Sequence, residues 1–130
     1  MHSLAILYSS FAAAVLIATL SPAHAQTSPD ADQIAYNNAC RTCHSIKEGD
    51  NRLGPSLYGI VGKKAGTVSG YDSSSAMRQS GIVWDEQNLD RFIADPDQVV
   101  HGNAMRPFGG IDLEDERQKI ISYLKSAGGN

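Results

Sequence analysis

Cys40-Arg41-Thr42-Cys43-His44 sets two thiols three positions apart and an imidazole directly after the second. On a helical turn both thiols face one side, where each can add across a vinyl group of a haem. The imidazole then rises to the iron from that same side. This C-x-x-C-H pattern is the attachment site of c-type haem. Three other chemistries use some of these residues. A thioredoxin-like redox pair needs a βαβ setting, and the chain shows no useful β-alternation. A zinc site needs four ligands, and after residue 25 there is no second cysteine pair and only His44 and His101. A structural disulfide leaves the adjacent histidine without a purpose.

An attached haem takes a second axial ligand or keeps an open position, and methionine opposite histidine is one such pair. Met77 lies in Ser-Ala-Met-Arg-Gln, at helical spacing, where its expected work is packing. Met105 lies in His-Gly-Asn-Ala-Met-Arg-Pro-Phe-Gly-Gly, an irregular loop able to present a thioether. Met105 is the expected ligand, with His101 as the alternative.

The elements that must position these groups are short. Asp30 is placed to cap a first helix marked by Ile34, Tyr36 and Ala39-Cys40. From Lys47 to Gly70 no period is visible and glycines punctuate the chain, which predicts loops. Ser73 to Ser80 is a candidate short helix closed by Gly81. Asp85 is the expected N-cap for the run Asn88 to Asp95, which Pro96 ends. The last helix has Asp112 as its expected cap and Glu114, Asp115 and Glu116 in its first turn. Leu113, Ile120, Ile121 and Leu124 form its apolar face, and Gly128 is placed to stop it. The fold class is all-α.

All 25 acidic and basic side chains lie at Asp30 or later. Before them, Leu4 to Leu20 is almost wholly apolar, Pro22 breaks the run, and Ala23-His24-Ala25 fits a signal-peptidase site. The expected organisation is a signal peptide over 1–25, cleaved after Ala25, and one domain over 26–130 in a bacterial periplasm. The competing reading is an uncleaved anchor, since a run of 17 residues reaches the lower limit for a membrane span. After cleavage no stable membrane insertion is expected. Eleven Lys plus Arg against 14 Asp plus Glu give no basic field for nucleic acid. Two cysteines exclude a disulfide-dense scaffold. Only seven aromatics follow residue 25, with all 12 glycines, so the domain needs core material from elsewhere.

From about Asp30 to Gly128 the chain resembles the class I cytochromes c, the group of mitochondrial cytochrome c and soluble alphaproteobacterial relatives. The likeness is carried by the C-x-x-C-H motif, Gly54-Pro55-Ser56-Leu57-Tyr58-Gly59, Gly62-Lys63-Lys64-Ala65-Gly66, Gly70-Tyr71, Gly81-Ile82-Val83-Trp84, Asp95-Pro96 and Met105. The 61 positions from His44 to Met105 also suit it. The resemblance implies one haem c, held through Cys40 and Cys43 with His44 and Met105 on the iron. It implies that the Pro55 carbonyl accepts from His44 Nδ1, that Trp84 donates to a haem propionate, and that Tyr71 and Asn103 join the cofactor-binding set. It also implies that Tyr36 meets the Leu113/Ile120/Leu124 face where the terminal helices cross. Plainer readings stand beside these: Gly54-Pro55 as a turn, Trp84 as ordinary core.

The chain departs from the family at several places. Ser73 and Phe92 stand where tyrosines are usual, His101 where proline is, Asn103 where threonine is, and Asp32 where glycine is. Arg106-Pro107 looks like one extra residue. Lysines that ring the haem edge in relatives feeding respiratory oxidases are replaced by Ala39, Asp97, Gln98, Ala104 and Asp112. This implies a partner less acidic than a mitochondrial-type oxidase, or apolar docking around Met105 and Phe108; ordinary surface drift is the plainer account. The expected function is a monomeric periplasmic one-electron carrier, not itself an enzyme. Its expected donor is a dehydrogenase or cytochrome bc-type complex, and its acceptor an oxidase, reductase or reaction centre. Two alternatives remain open at this point: a haem enzyme or gas sensor with a labile sixth position, and a relay subunit bound permanently to a dehydrogenase or membrane complex.

Overall fold

The computed structural model describes residues 30–128. The expected signal peptide lies outside them. The described chain forms five helices joined by long loops. They are α1 (Ala31–Ala39), α2 (Ser75–Gln79), α3 (Glu86–Ala94), α4 (Pro96–Val99) and α5 (Glu114–Ser126). Among the described residues the extended pairing is a single antiparallel bridge between Lys64 and Val83.

Each helix start has a local cause. Asp30 accepts from the Gln33 N–H at 2.8 Å, and Asp85 from the Asn88 N–H at 2.7 Å. Ser74 accepts from the Met77 N–H at 3.1 Å to open α2. Pro96 ends α3, but it also opens α4. Asp95 closes the first helix and caps the second, its Oδ1 accepting from the Gln98 N–H at 3.1 Å. Proline fits the first helical position, where its missing N–H is no loss, and reading Pro96 only as a stop overlooks that half of its behaviour.

The expected cap of α5 is corrected. Leu113, not Asp112, occupies the N-cap, and no side chain caps the helix. Arg117 Nη1 donates to the carbonyls of both Ile111 and Asp112, at 2.9 and 2.8 Å, and so draws in the chain ahead of the helix. Leu113 is extended at φ −73° and ψ 111°, outside the helical register, and is 68% exposed rather than on the buried face.

α5 packs on α1 and α3, and α3 on α4. The α1–α5 crossing is built from Ala35 and Tyr36 against the Ile120, Ile121 and Leu124 side of α5. The Tyr36 and Tyr123 rings lie 5.0 Å apart at 38°. Across α3 and α5, Arg117 Nε meets Asp90 Oδ1 at 2.9 Å. Residues of α1, α3 and α5, of the chain between α1 and α3, and of the loop between α4 and α5 together line one cavity.

Ile121 is 1% exposed, so Ile121→Ala should lower the unfolding free energy of the haem-loaded protein by roughly 2–5 kcal/mol. Leu113→Ala should stay within about 0.5 kcal/mol. Urea unfolding of the two variants in parallel checks both.

Candidate haem site

α1 delivers the attachment motif. Its last turn closes when the Cys40 N–H donates to the Tyr36 carbonyl at 2.8 Å, and the His44 N–H donates to the Cys40 carbonyl at 2.9 Å. That turn sets Cys40, Cys43 and His44 along one side of a cavity of about 380 Å³, within the usual range for cofactor sites. Neither cysteine is in a disulfide. Burial, and then the nearness of Cys43, pushes the Cys40 thiol up to about 12.

His44 is buried and held on two sides. Its Nδ1 lies 2.8 Å from the Pro55 carbonyl. A carbonyl only accepts, so Nδ1 carries the proton and Nε2 keeps its lone pair. Burial lowers the pKa of the ring, partly opposed by the Pro55 bond, which favours the neutral form that binds metal. The flat of the ring lies against Gly54. A Cβ on Gly54 would fall 2.6 Å from Nδ1 and closer still to Cε1, so only glycine fits. The Gly54 N–H donates to the Cys43 carbonyl at 2.8 Å, tying this loop back to the motif. Behind the ring, the Tyr36 hydroxyl donates to the His44 carbonyl at 3.2 Å; burial pushes that phenol up to about 12.

Pro55, Tyr71, Trp84 and Met105 line the same cavity as the motif. Tyr71 donates its hydroxyl to the Leu53 carbonyl at 2.8 Å. Trp84 is buried against Phe92, ring centroids 4.8 Å apart, and its backbone pairs with the loop at Gly62 and Lys63. Every fully buried side-chain nitrogen or oxygen among the described residues has a partner. Trp84 lines the cavity, and its indole N–H has no protein acceptor among the described residues. Asn103 stands behind this wall rather than on it, its Nδ2 donating to Asp97 Oδ1 and the Val100 carbonyl and its Oδ1 accepting from the Met105 N–H. Met77, Ser73 and Phe92, outside the expected set, also line the cavity.

Sequence reasoning missed three supports. Gly54 read as a turn glycine, since the approach of a ring from elsewhere in the chain leaves no local signal. Asn51 binds two loop segments, accepting from the Ser56 N–H at 2.9 Å and donating to the Ser69 carbonyl at 3.0 Å. An asparagine inside a glycine-rich loop was the available signal. Arg117 gives no local signal, because its carboxylate partner Asp90 lies 27 positions away.

Residues 30–128 match the cytochrome c family model. The chain belongs to the cytochrome c family. It is 44% identical over 96 residues to cytochrome c2 iso-2 of Magnetospirillum molischianum, covering 74% of this chain and 98% of that one. Cytochrome c of Euglena viridis is 42% identical over 91 residues, 70% of this chain and 88% of its own. Among solved structures, cytochrome cH from Methylobacterium extorquens superposes with a TM-score of 0.67 at 38% identity, over 73% of this chain and 94% of that one. The all-α class I fold and the haem c held through Cys40 and Cys43 are those of the family. The cavity fits that group: its walls are largely apolar, and both thiols and the imidazole line it.

Gly54→Ala in the haem-loaded cytochrome should displace His44 and destabilise the fold by about 1–3 kcal/mol, as overpacking does. Denaturant unfolding followed by haem absorbance checks this, and a wild-type midpoint would show that the ring has room to spare.

Proposed function

We propose that this cytochrome is an exported one-electron carrier working in a periplasm, with His44 Nε2 and Met105 Sδ as the two axial ligands. One observation carries the ligand assignment: Met105 reaches the cavity that His44 lines from a loop, 61 positions further along the chain. Met77 reaches it from α2, where the helix fixes its backbone. The apolar run before Pro22 and the Ala23-His24-Ala25 triplet support export with cleavage after Ala25. Among the described residues no helix is long and apolar enough to cross a membrane.

The bound haem supplies a single Fe(II)/Fe(III) couple. The protein's part is to hold that couple still. Pro55 fixes the imidazole orientation and raises its basicity. Gly54 packs on the ring so that it does not rotate. The Met105 thioether and the apolar lining favour the ferrous state and raise the potential. Trp84 and Tyr71 serve the cofactor at the cavity wall, and Asn103 acts through the Met105 loop. With His44 and Met105 holding the iron, the site would leave no place for a substrate, and electrons would pass to and from docked redox proteins. Weak, small interfaces suit such encounters.

The charges near the cavity bear on which partner docks. Arg52, Arg78 and Arg106 are paired with Asp50, Asp72 and Asp97 at 3.0, 2.9 and 2.5 Å. Of the two cations on the wall itself, Arg106 is thus neutralised and Lys64 is unpaired among the described residues. So little positive field supports a partner less acidic than a mitochondrial-type oxidase, with apolar contact near Met105 and Phe108.

Two measurements test the reading. Met105→Leu should abolish the Met–iron charge-transfer band of the ferric protein and open the ferrous form to carbon monoxide, while Met77→Leu leaves both unchanged. Persistence of the band in Met105→Leu would overturn the ligation. Rapid carbon monoxide binding by the wild type would favour a haem enzyme or sensor instead. Separately, the rate of reduction of a membrane-bound oxidase should change by less than about tenfold between low and high salt. A steep fall would reveal a cationic docking face.

A further inference from the structure

The loop carrying Met105 is gripped by a single carboxylate. Asp97, on α4, accepts with Oδ1 from Asn103 Nδ2 at 2.9 Å and with Oδ2 from Arg106 Nη2 at 2.5 Å. Those donors stand two residues before Met105 and one residue after it. Asn103 passes the grip on, its Oδ1 accepting from the Met105 N–H at 2.9 Å while Nδ2 also reaches the Val100 carbonyl at 3.0 Å. Asn103 is only 7% exposed, so water does not readily replace a lost partner. The base of the grip is firm as well, because Asp95 caps α4 and both Pro96 and Val100 are buried.

The geometry points to Asp97 as the positioning residue for the sixth ligand. It ties the Met105 loop to α4 on both sides of the sulfur and so sets how readily Met105 leaves the iron. An exposed Arg–Asp pair alone does little. Asp97 has leverage because the carboxylate that pairs with Arg106 also satisfies a buried amide bonded to the ligand's own N–H. The inference rests on Met105 being the ligand.

The test uses the ferric, haem-loaded protein with imidazole as the probe. Asp97→Ala should bind imidazole about tenfold faster, the effect of losing charge-assisted hydrogen bonds. Its Met–iron charge-transfer band should weaken and its Met105 amide should exchange faster with solvent deuterium. Arg106→Gln should give a smaller change, and Asp112→Asn none. Wild-type imidazole rate and band in Asp97→Ala would overturn the proposal. If Asp97→Ala does not accumulate as holoprotein, isosteric Asp97→Asn replaces it. An amide keeps one acceptor oxygen, so one of the two grips is lost and the rate should still rise; no rise overturns the proposal. Met105→Leu separates the two claims. A band that persists there removes the ligand assignment. A band lost there, with Asp97→Ala unchanged, removes the grip alone.

Discussion

The contact between the His44 ring and the Gly54-Pro55 backbone governs the rest of the molecule. An imidazole that is to serve a metal must be neutral, in one tautomer and unable to rotate. Here a carbonyl fixes the tautomer, burial keeps the ring neutral, and a glycine backbone closes on its flat. The consequence runs outward through the chain. The Gly54 N–H ties to the Cys43 carbonyl, so the loop and the attachment motif form one unit. Asn51 then joins that unit to the segment before Gly70, and Tyr71 returns a hydroxyl to Leu53. A loop region without helical period is thereby fastened at several points.

The helices supply the complementary stiffness. α1 carries the motif and is pressed against α5, while α3 lies on α5 beside Phe92 and Ile93. The side chains of this core are few, and several of them face the cavity rather than each other. Trp84, Leu89, Phe92, Ile93, Ile120 and Leu124 all do so. The haem therefore completes a core that the small domain does not fill alone.

Local physics was plainly written in the sequence. Asp30 and Asp85 act within three residues of themselves, and both cap their helices as their types require. The C-x-x-C-H motif is equally local. What stayed hidden depends on which of several near neighbours each group bonds. Leu113 fits the apolar face of an ideal helix, but the helix begins one residue later, where Arg117 has gathered the preceding carbonyls. Asn103 is expected among the cofactor contacts, and its side chain bonds Asp97, Val100 and Met105. Pro96 carried two meanings, and only the terminating one was legible without knowing that Asp95 would cap a second helix.

Asp95 joins α3 to α4 without a linker, and the Ile111 N–H returns to the Ile93 carbonyl at 2.9 Å. The stretch between Val100 and Ile111 is therefore a closed excursion, leaving the helical frame and rejoining it close to where it left. The entropy of closing such a loop grows only slowly with its length, so an added residue costs about 0.1 kcal/mol. A residue added inside this excursion, away from the Asn103 and Arg106 contacts to α4, would leave the helical frame in place. The segment bearing Met105 can thus change in length where Asp97 does not hold it, while the frame preserves the fold.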